Sequence, residues 1–145
     1  MTTVLDSWAI IRYLEDAKPA AELVATLLES ERPVVSWINL GEVFYVIRRR
    51  SGEDDASETV RDLRASLVAD LPDETLIIAA ARIKARFPMA YADAFAAATS
   101  IAHDAELWTG DPELLVDDAP WRWRDLRRES RSTDGHPRPG DIDEP

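Results

Sequence analysis

"YADAFAAATSIAHDAELWTGDPEL", residues 91–114, holds three patterns in succession. Ala92, Ala94, Phe95, Ala96, Ala97 and Ala98 make residues 91–100 a helix that is apolar nearly all round, the pattern of a helix packed inside a domain. "AELWTG", 105–110, reads as a strand, and "DPELL", 111–115, as a single turn. Asp93 lies inside the apolar helix. An ionised carboxylate removed from water is costly, so a partner, a helix end or a cation must compensate it.

Outward from this stretch the alternation of strand and helix continues. "TTVLD" (2–6) is a short strand ending at Asp6, and "SWAIIRYLED" (7–16) carries the helical spacing of Trp8, Ile10, Ile11 and Leu14. "PAAELVATLLES" (19–30) opens with Pro19 in the first helical position and puts Leu23, Leu27 and Leu28 on one face. "PVVSWI" (33–38) is a buried strand by its β-branched run, and "NLGEVFYVIRRRS" (39–51) is a helix that stops at Ser51-Gly52. "DDASETVRDLRASLVAD" (54–70) reads as one helix with Val60, Leu63, Leu67 and Val68 apolar. "PDETLIIAAARIKARF" (72–87) reads as helical from Asp73 despite its strand-like Leu76-Ile77-Ile78, and "WRWRDL" (121–126) reads as a last strand. Residues 129–145, rich in Pro, Gly and charge and without periodicity, read as a disordered tail behind a single domain of residues 1–128. Strands separated by helices require a parallel sheet covered on both faces, so the expected class is α/β.

Composition excludes several functions. The chain has no Cys and two His, so any metal must be held by oxygen. "MTTVLDSWAI" has no basic leader and no apolar run is long enough to span a bilayer, so the expectation is a cytoplasmic protein with no membrane partner. The net charge of −11 argues against a nucleic-acid partner on average, but the cations are clustered. Arg48, Arg49 and Arg50 form one group, Arg61 and Arg64 follow, and Arg122, Arg124, Arg127, Arg128 and Arg131 form another. Each cluster, taken alone, also fits a solvated helix face.

In parallel α/β sheets ligands bind beyond the carboxyl ends of the strands, and that rule gathers the acids. Asp6 ends the first strand, Glu42 lies one turn into the helix after the second, Asp93 is in the first turn of the alanine-rich helix, and Asp111 follows "AELWTG". Each has an ordinary structural alternative: Asp6 and Asp111 as helix caps, Asp93 as a first-turn acid favoured by the dipole, Glu42 as a solvent-facing residue. Together they would repel one another by roughly 3 kcal/mol per pair at a separation of roughly 5 Å and an effective dielectric of about 20. A divalent cation removes that cost, and hard oxygen ligands select Mg²⁺ or Mn²⁺.

Over residues 3–126 the chain resembles the PIN-domain ribonucleases, and most closely the VapC toxins of bacterial toxin–antitoxin pairs. "VLDS", "NLGEVFY" and "YADAFAAATSIAHDAELWTGDPEL" carry the resemblance, the last being the most specific. It departs from the family at Leu114 and Leu115, where an aromatic often follows the last acid, a difference of packing. The resemblance implies a PIN-like fold, a short central parallel sheet with helices on both faces, completed by a final strand that "WRWRDL" can supply. It maps Asp6, Glu42, Asp93 and Asp111 onto a catalytic metal site, with Ser7 and Thr109 as hydroxyls beside it. Asp6 and Asp93 are the first choice for direct ligands, while Glu42 and Asp111 are left to bind directly, through water or to a second ion. It further implies Mg²⁺- or Mn²⁺-dependent hydrolysis of an RNA substrate and neutralisation by a cognate VapB-type antitoxin, and it leaves homodimerisation open. Two rivals stand against it. A module that keeps the fold for partner binding without catalysis is opposed by the presence of all four acids. A phosphoacceptor receiver domain would need a lysine on a late strand, and the chain has Lys18 and Lys84 alone.

Overall fold

The structure is a computed structural model and describes residues 2–129. The element order is β1 (Thr3–Leu5), α1 (Ser7–Leu14), α2 (Ala20–Ser30), β2 (Val34–Ser36), α3 (Trp37–Ser51), α4 (Glu53–Ser66), β3 (Val68–Asp70), α5 (Glu74–Arg86), α6 (Tyr91–Ala102), β4 (Glu106–Thr109) and β5 (Arg122–Asp125). The strands form one sheet in the order β3-β2-β1-β4-β5. Every neighbouring pair is parallel, with Val4 opposite Val34 and Leu107, Val34 opposite Val68, and Leu107 opposite Trp123.

The strands are three or four residues long because each needs only enough length to bury one or two side chains on either face. Val4, Val34, Leu107 and Trp123 point to the side of α5 and α6, where they pack with Phe95, Ala97, Leu114 and Trp121. Their neighbours Leu5, Val35 and Trp108 point the other way, into a core with Ile10, Val24, Leu40, Val43 and Leu63. This period of two in burial is what the β-branched runs encode.

The chain winds from β1 through β2 to β3 on one side and then returns to place β4 on the other side of β1. The winding direction therefore reverses between β1 and β4, the place where open α/β sheets form a crevice. The alanines of α6 let its backbone lie close to the sheet, with Ala94, Ala96 and Ala97 fully buried. At the end of α3, Gly52 takes φ 94, a left-handed conformation that costs glycine little.

Three local expectations are corrected. The single helix expected over 54–70 ends at Ser66, and Val68–Asp70 form the edge strand β3. The cause is non-local: Val34, Val35 and Ser36 offer a free strand edge to Val68, Ala69 and Asp70. The helix expected from Asn39 begins at Trp37, because the Ser36 hydroxyl accepts the Ile38 N–H at 3.2 Å and caps it. Pro19 is the residue before α2 rather than its first residue. The tail expected to be disordered lies, from residue 130 onward, outside the described residues.

Candidate metal centre

Asp6 stands where β1 ends, on a backbone that turns directly into α1. Its Oδ1 accepts the Ala9 N–H at 2.9 Å, capping the helix, and its Oδ2 accepts a hydrogen bond from the Thr109 hydroxyl. The residue is 1% exposed. Burial pushes its carboxyl up to about 7, against the opposing pull of the Thr109 and Ala9 hydrogen bonds and with help from the charges of Asp111 and Glu42. Capping and site membership are compatible here, because each carboxylate oxygen keeps a second lone pair.

Thr109, the last residue of β4, uses both roles of its hydroxyl: it donates to Asp6 and accepts the Asp111 N–H at 3.0 Å. The neighbouring strands β1 and β4 thus lock two acids into one frame. Asp111 accepts the Glu113 N–H at 3.0 Å, an Asx turn of the kind that Asp-Pro favours.

Glu42 is carried inward by α3 and gripped from two sides. The Ser7 hydroxyl donates to its Oε1 at 2.7 Å, and the Asn39 amide donates to the same oxygen at 3.1 Å. The Asn39 amide also donates to the Ala92 carbonyl at 3.2 Å, tying α3 to the first turn of α6. That turn presents Asp93, 8% exposed, whose carboxyl is pushed up to about 8. Burial is the main cause, followed by the charge of Asp111, a hydrogen bond to Asp111, and the charges of Asp6 and Glu42. The question raised by an acid in an alanine helix thus has a partial answer: its neighbours worsen its position rather than relieving it.

The four expected acids therefore meet at the crevice between β1 and β4, and Ser7 and Thr109 stand beside them as hydroxyl donors. Two further residues belong to the arrangement. Asn39 is fully buried, on the same face of α3 as Glu42 by its three-residue spacing, and its Oδ1 has no partner among the described residues. Glu113 offers a carboxylate oxygen within 4.8 Å of one on Asp93 and one on Asp111, and its Oε2 also accepts the Ala90 N–H at 3.2 Å. The signal for Asn39 was its place in "NLGE", one turn before Glu42; Glu113 has no signal beyond its place in the turn "DPELL". The donor set is all oxygen and crowded, and Asp6 and Asp93 ionise only against burial and neighbouring charge, which fits a hard divalent cation.

The arginine clusters are less free than the sequence suggests. Arg48 pairs with Glu53 at 2.8 Å, Arg50 with Glu15 at 2.7 Å, Arg122 with Asp104 at 3.0 Å and Arg127 with Asp125 at 2.9 Å. Arg49 and Arg64 instead lie over the rings of Tyr45 and Trp37, and Arg12, which also pairs with Glu15 at 3.3 Å, lies over Trp8. Arg131 falls outside the described residues.

A family model described as PIN domain matches residues 3–117. No curated protein matches the chain. Among solved structures it is similar to VapBC-1 from nontypeable Haemophilus influenzae, at 22% identity and a TM-score of 0.68 over 88% of this chain and 100% of that one. It is similar to DNA-bound VapBC from Salmonella typhimurium at 17% identity and a TM-score of 0.69, covering 87% and 98% of the two chains. A third likeness is to VapC20 from Mycobacterium tuberculosis, described as a toxin that cleaves the sarcin–ricin loop, at 16% identity and a TM-score of 0.65 over 78% and 92%. At these identities the likeness is one of fold.

Proposed function

The chain belongs to the PIN domain family, and from that premise we propose that it is a metal-dependent endoribonuclease, the toxin of a VapC-type toxin–antitoxin pair. The observation that carries the reading is the meeting of Asp6, Glu42, Asp93 and Asp111, from four separate segments, at the reversal point of the sheet. Two of these carboxyls are held well above their ordinary range by burial and mutual charge, a state that a divalent cation relieves.

Asp6, Glu42, Asp93 and Asp111 would hold Mg²⁺ or Mn²⁺, with Glu113 within reach of the same space. When bound, the ion supplies a water of lowered pKa and offsets charge on the attacked phosphate and the leaving oxygen. The chain's own work is orientation. Thr109 and the Ala9 N–H hold Asp6, while Ser7 and Asn39 hold Glu42, so that the acids face the crevice without rotating. Arg12 and Arg49, which have aromatic support, are the cations we assign to the RNA backbone at the rim. The description of VapC20 as cleaving an RNA loop supports RNA over DNA.

The partner reading rests on VapBC complexes among the similar folds and on a groove of this chain. Between α1 and α4, a cavity of about 280 Å³ lined by Tyr13, Leu14, Leu28 and Leu63 runs into a second of about 290 Å³ lined by Asp55, Glu58 and Asp62. An antitoxin helix with one apolar and one basic face is complementary to it. The exposed Ile77 and Ile78 of α5 and Ile101 of α6 support a homodimer through that side. No helix among the described residues is long and apolar enough to cross a membrane; the cytoplasmic placement rests on the toxin reading itself. We assign the nuclease unit to residues 1–128, because Leu126 is its last core residue among those described.

The test is incubation of the purified protein with total RNA and Mg²⁺ or Mn²⁺, followed by sequencing of new ends, with Asp93→Asn in parallel. Discrete ends that require the metal and vanish in the variant support the reading. Intact RNA under all conditions favours a PIN fold kept for partner binding alone.

A further inference from the structure

Gly110 sits between the two residues that lock the site, Thr109 and Asp111. Its φ lies outside the left-handed region, so its backbone does not itself call for glycine. The reason is a neighbour. A β-carbon on Gly110 would fall 2.3 Å from both Cη2 and Cζ2 of Trp8 and 2.7 Å from Cε2. Near-equal distances to three adjoining ring atoms put that carbon over the face of the indole, not beside its edge. The Gly110 backbone therefore rests on the six-membered ring of Trp8, and the Arg12 guanidinium lies over the same indole, its carbon 4.7 Å from the ring centroid.

Trp8 is two residues after Asp6, on the first turn of the helix that Asp6 caps, and next to Ser7, which holds Glu42. The ring thus spans from the segment carrying Asp6 to the segment carrying Asp111. We infer that Trp8, held by Arg12, is a positioning residue whose indole face sets the distance of Asp111 from Asp6, and that residue 110 is glycine because the ring occupies the space of its side chain. This inference rests on the reading of the four acids as a cation site.

Steric logic gives a test that a merely structural role does not satisfy. Gly110→Ala forces ring and backbone apart, so Mn²⁺ affinity, titrated by electron paramagnetic resonance well below the melting temperature, falls tenfold or more. Trp8→Ala leaves space in place of the ring, and affinity falls severalfold as Asp111 loses its support. The double variant Trp8→Ala/Gly110→Ala binds Mn²⁺ like Trp8→Ala alone, because the clash is gone, and Trp8→Phe recovers part of the loss. Near-UV circular dichroism in chelator reports on folding separately, and if Gly110→Ala does not fold, Trp8→Ala and Trp8→Phe carry the test. Unchanged Mn²⁺ affinity in folded Gly110→Ala or Trp8→Ala, or losses that simply add in the double variant, overturns the inference while wild-type binding upholds the cation site. A wild-type chain that binds no Mn²⁺ overturns both.

Discussion

Replacing Asp6 by Asn should stabilise the metal-free protein, an unusual outcome for a fully buried polar residue. The Asn oxygen can still accept the Ala9 N–H, and its amide can donate to the Thr109 hydroxyl where the carboxylate oxygen accepted from it. What is lost is a charge and the acceptor of the buried Thr109 O–H, the latter at a cost on the order of 1–3 kcal/mol. The carboxyl of Asp6 is raised from 3.8 to about 7 in the folded chain, so the folded state favours the protonated form. The sign follows: stability from this group is fully present below pH 3.8 and is lost as pH rises through about 7. At about 1.4 kcal/mol per pH unit, that span costs the wild type on the order of 4 kcal/mol at pH 8. Net of the unpaired Thr109 O–H, the difference for a domain of this size corresponds to roughly 5 °C in Tm. Thermal melts in chelator at pH 5, 6.5 and 8 should therefore show Asp6→Asn above wild type at pH 8, with the gap closing towards pH 5. Mg²⁺ should reverse the order, because wild type gains binding energy that the variant lacks. A variant that melts below wild type in chelator, with a gap independent of pH, refutes the reasoning and leaves Asp6 as a helix cap whose charge is favourable.

Asp93→Asn should abolish RNA cleavage and lower Mn²⁺ affinity while near-UV circular dichroism stays native; cleavage at the wild-type rate removes Asp93 from the ligand set. Asn39→Leu and Ser7→Ala each free Glu42 on one side and should cut cleavage by about 10–100-fold, the range for losing a residue that orients a metal ligand, with little change in substrate KM. Thr109→Val leaves the buried Asp6 oxygen without its donor and should cost on the order of 1–3 kcal/mol in chemical denaturation, and Thr109→Ser should restore it; equal stabilities of the Val and Ser variants would mean that the hydroxyl contributes nothing. Asp62→Lys in the groove between α1 and α4 should weaken antitoxin capture at least tenfold without altering cleavage, whereas unchanged capture places the partner elsewhere.

Much of the fold was legible because its signals are local. An alanine-rich apolar helix, β-branched runs and Asp at helix starts dictate elements over a few residues, and Asp6 and Asp73 cap as their type suggests. Asp73 is the reason that Leu76-Ile77-Ile78 is helical despite its β-branched pair: it accepts the Leu76 N–H at 2.9 Å and starts α5. β3 was not legible, since Val68-Ala69-Asp70 continues a helical spacing and becomes a strand only where the edge of β2 receives it. Asn39 and Glu113 were missed for a related reason. Their partners, Ala92 and Ala90, lie 53 and 23 residues away, and nothing in either local stretch points to them.

The acids show where the division falls. By itself the sequence determined that four carboxylates stand near strand ends, that no Cys or His cluster competes for a metal, and that strands alternate with helices in a parallel order. The tertiary structure alone decided that Asp6 is both cap and site residue, that Thr109 serves two acids with one hydroxyl, and that the Trp8 ring takes the space beside Gly110. Residue type and spacing specify which groups are available within a turn or a strand. Whether two of them repel, share a hydrogen or press on the same ring depends on ångström distances between segments that only packing brings together.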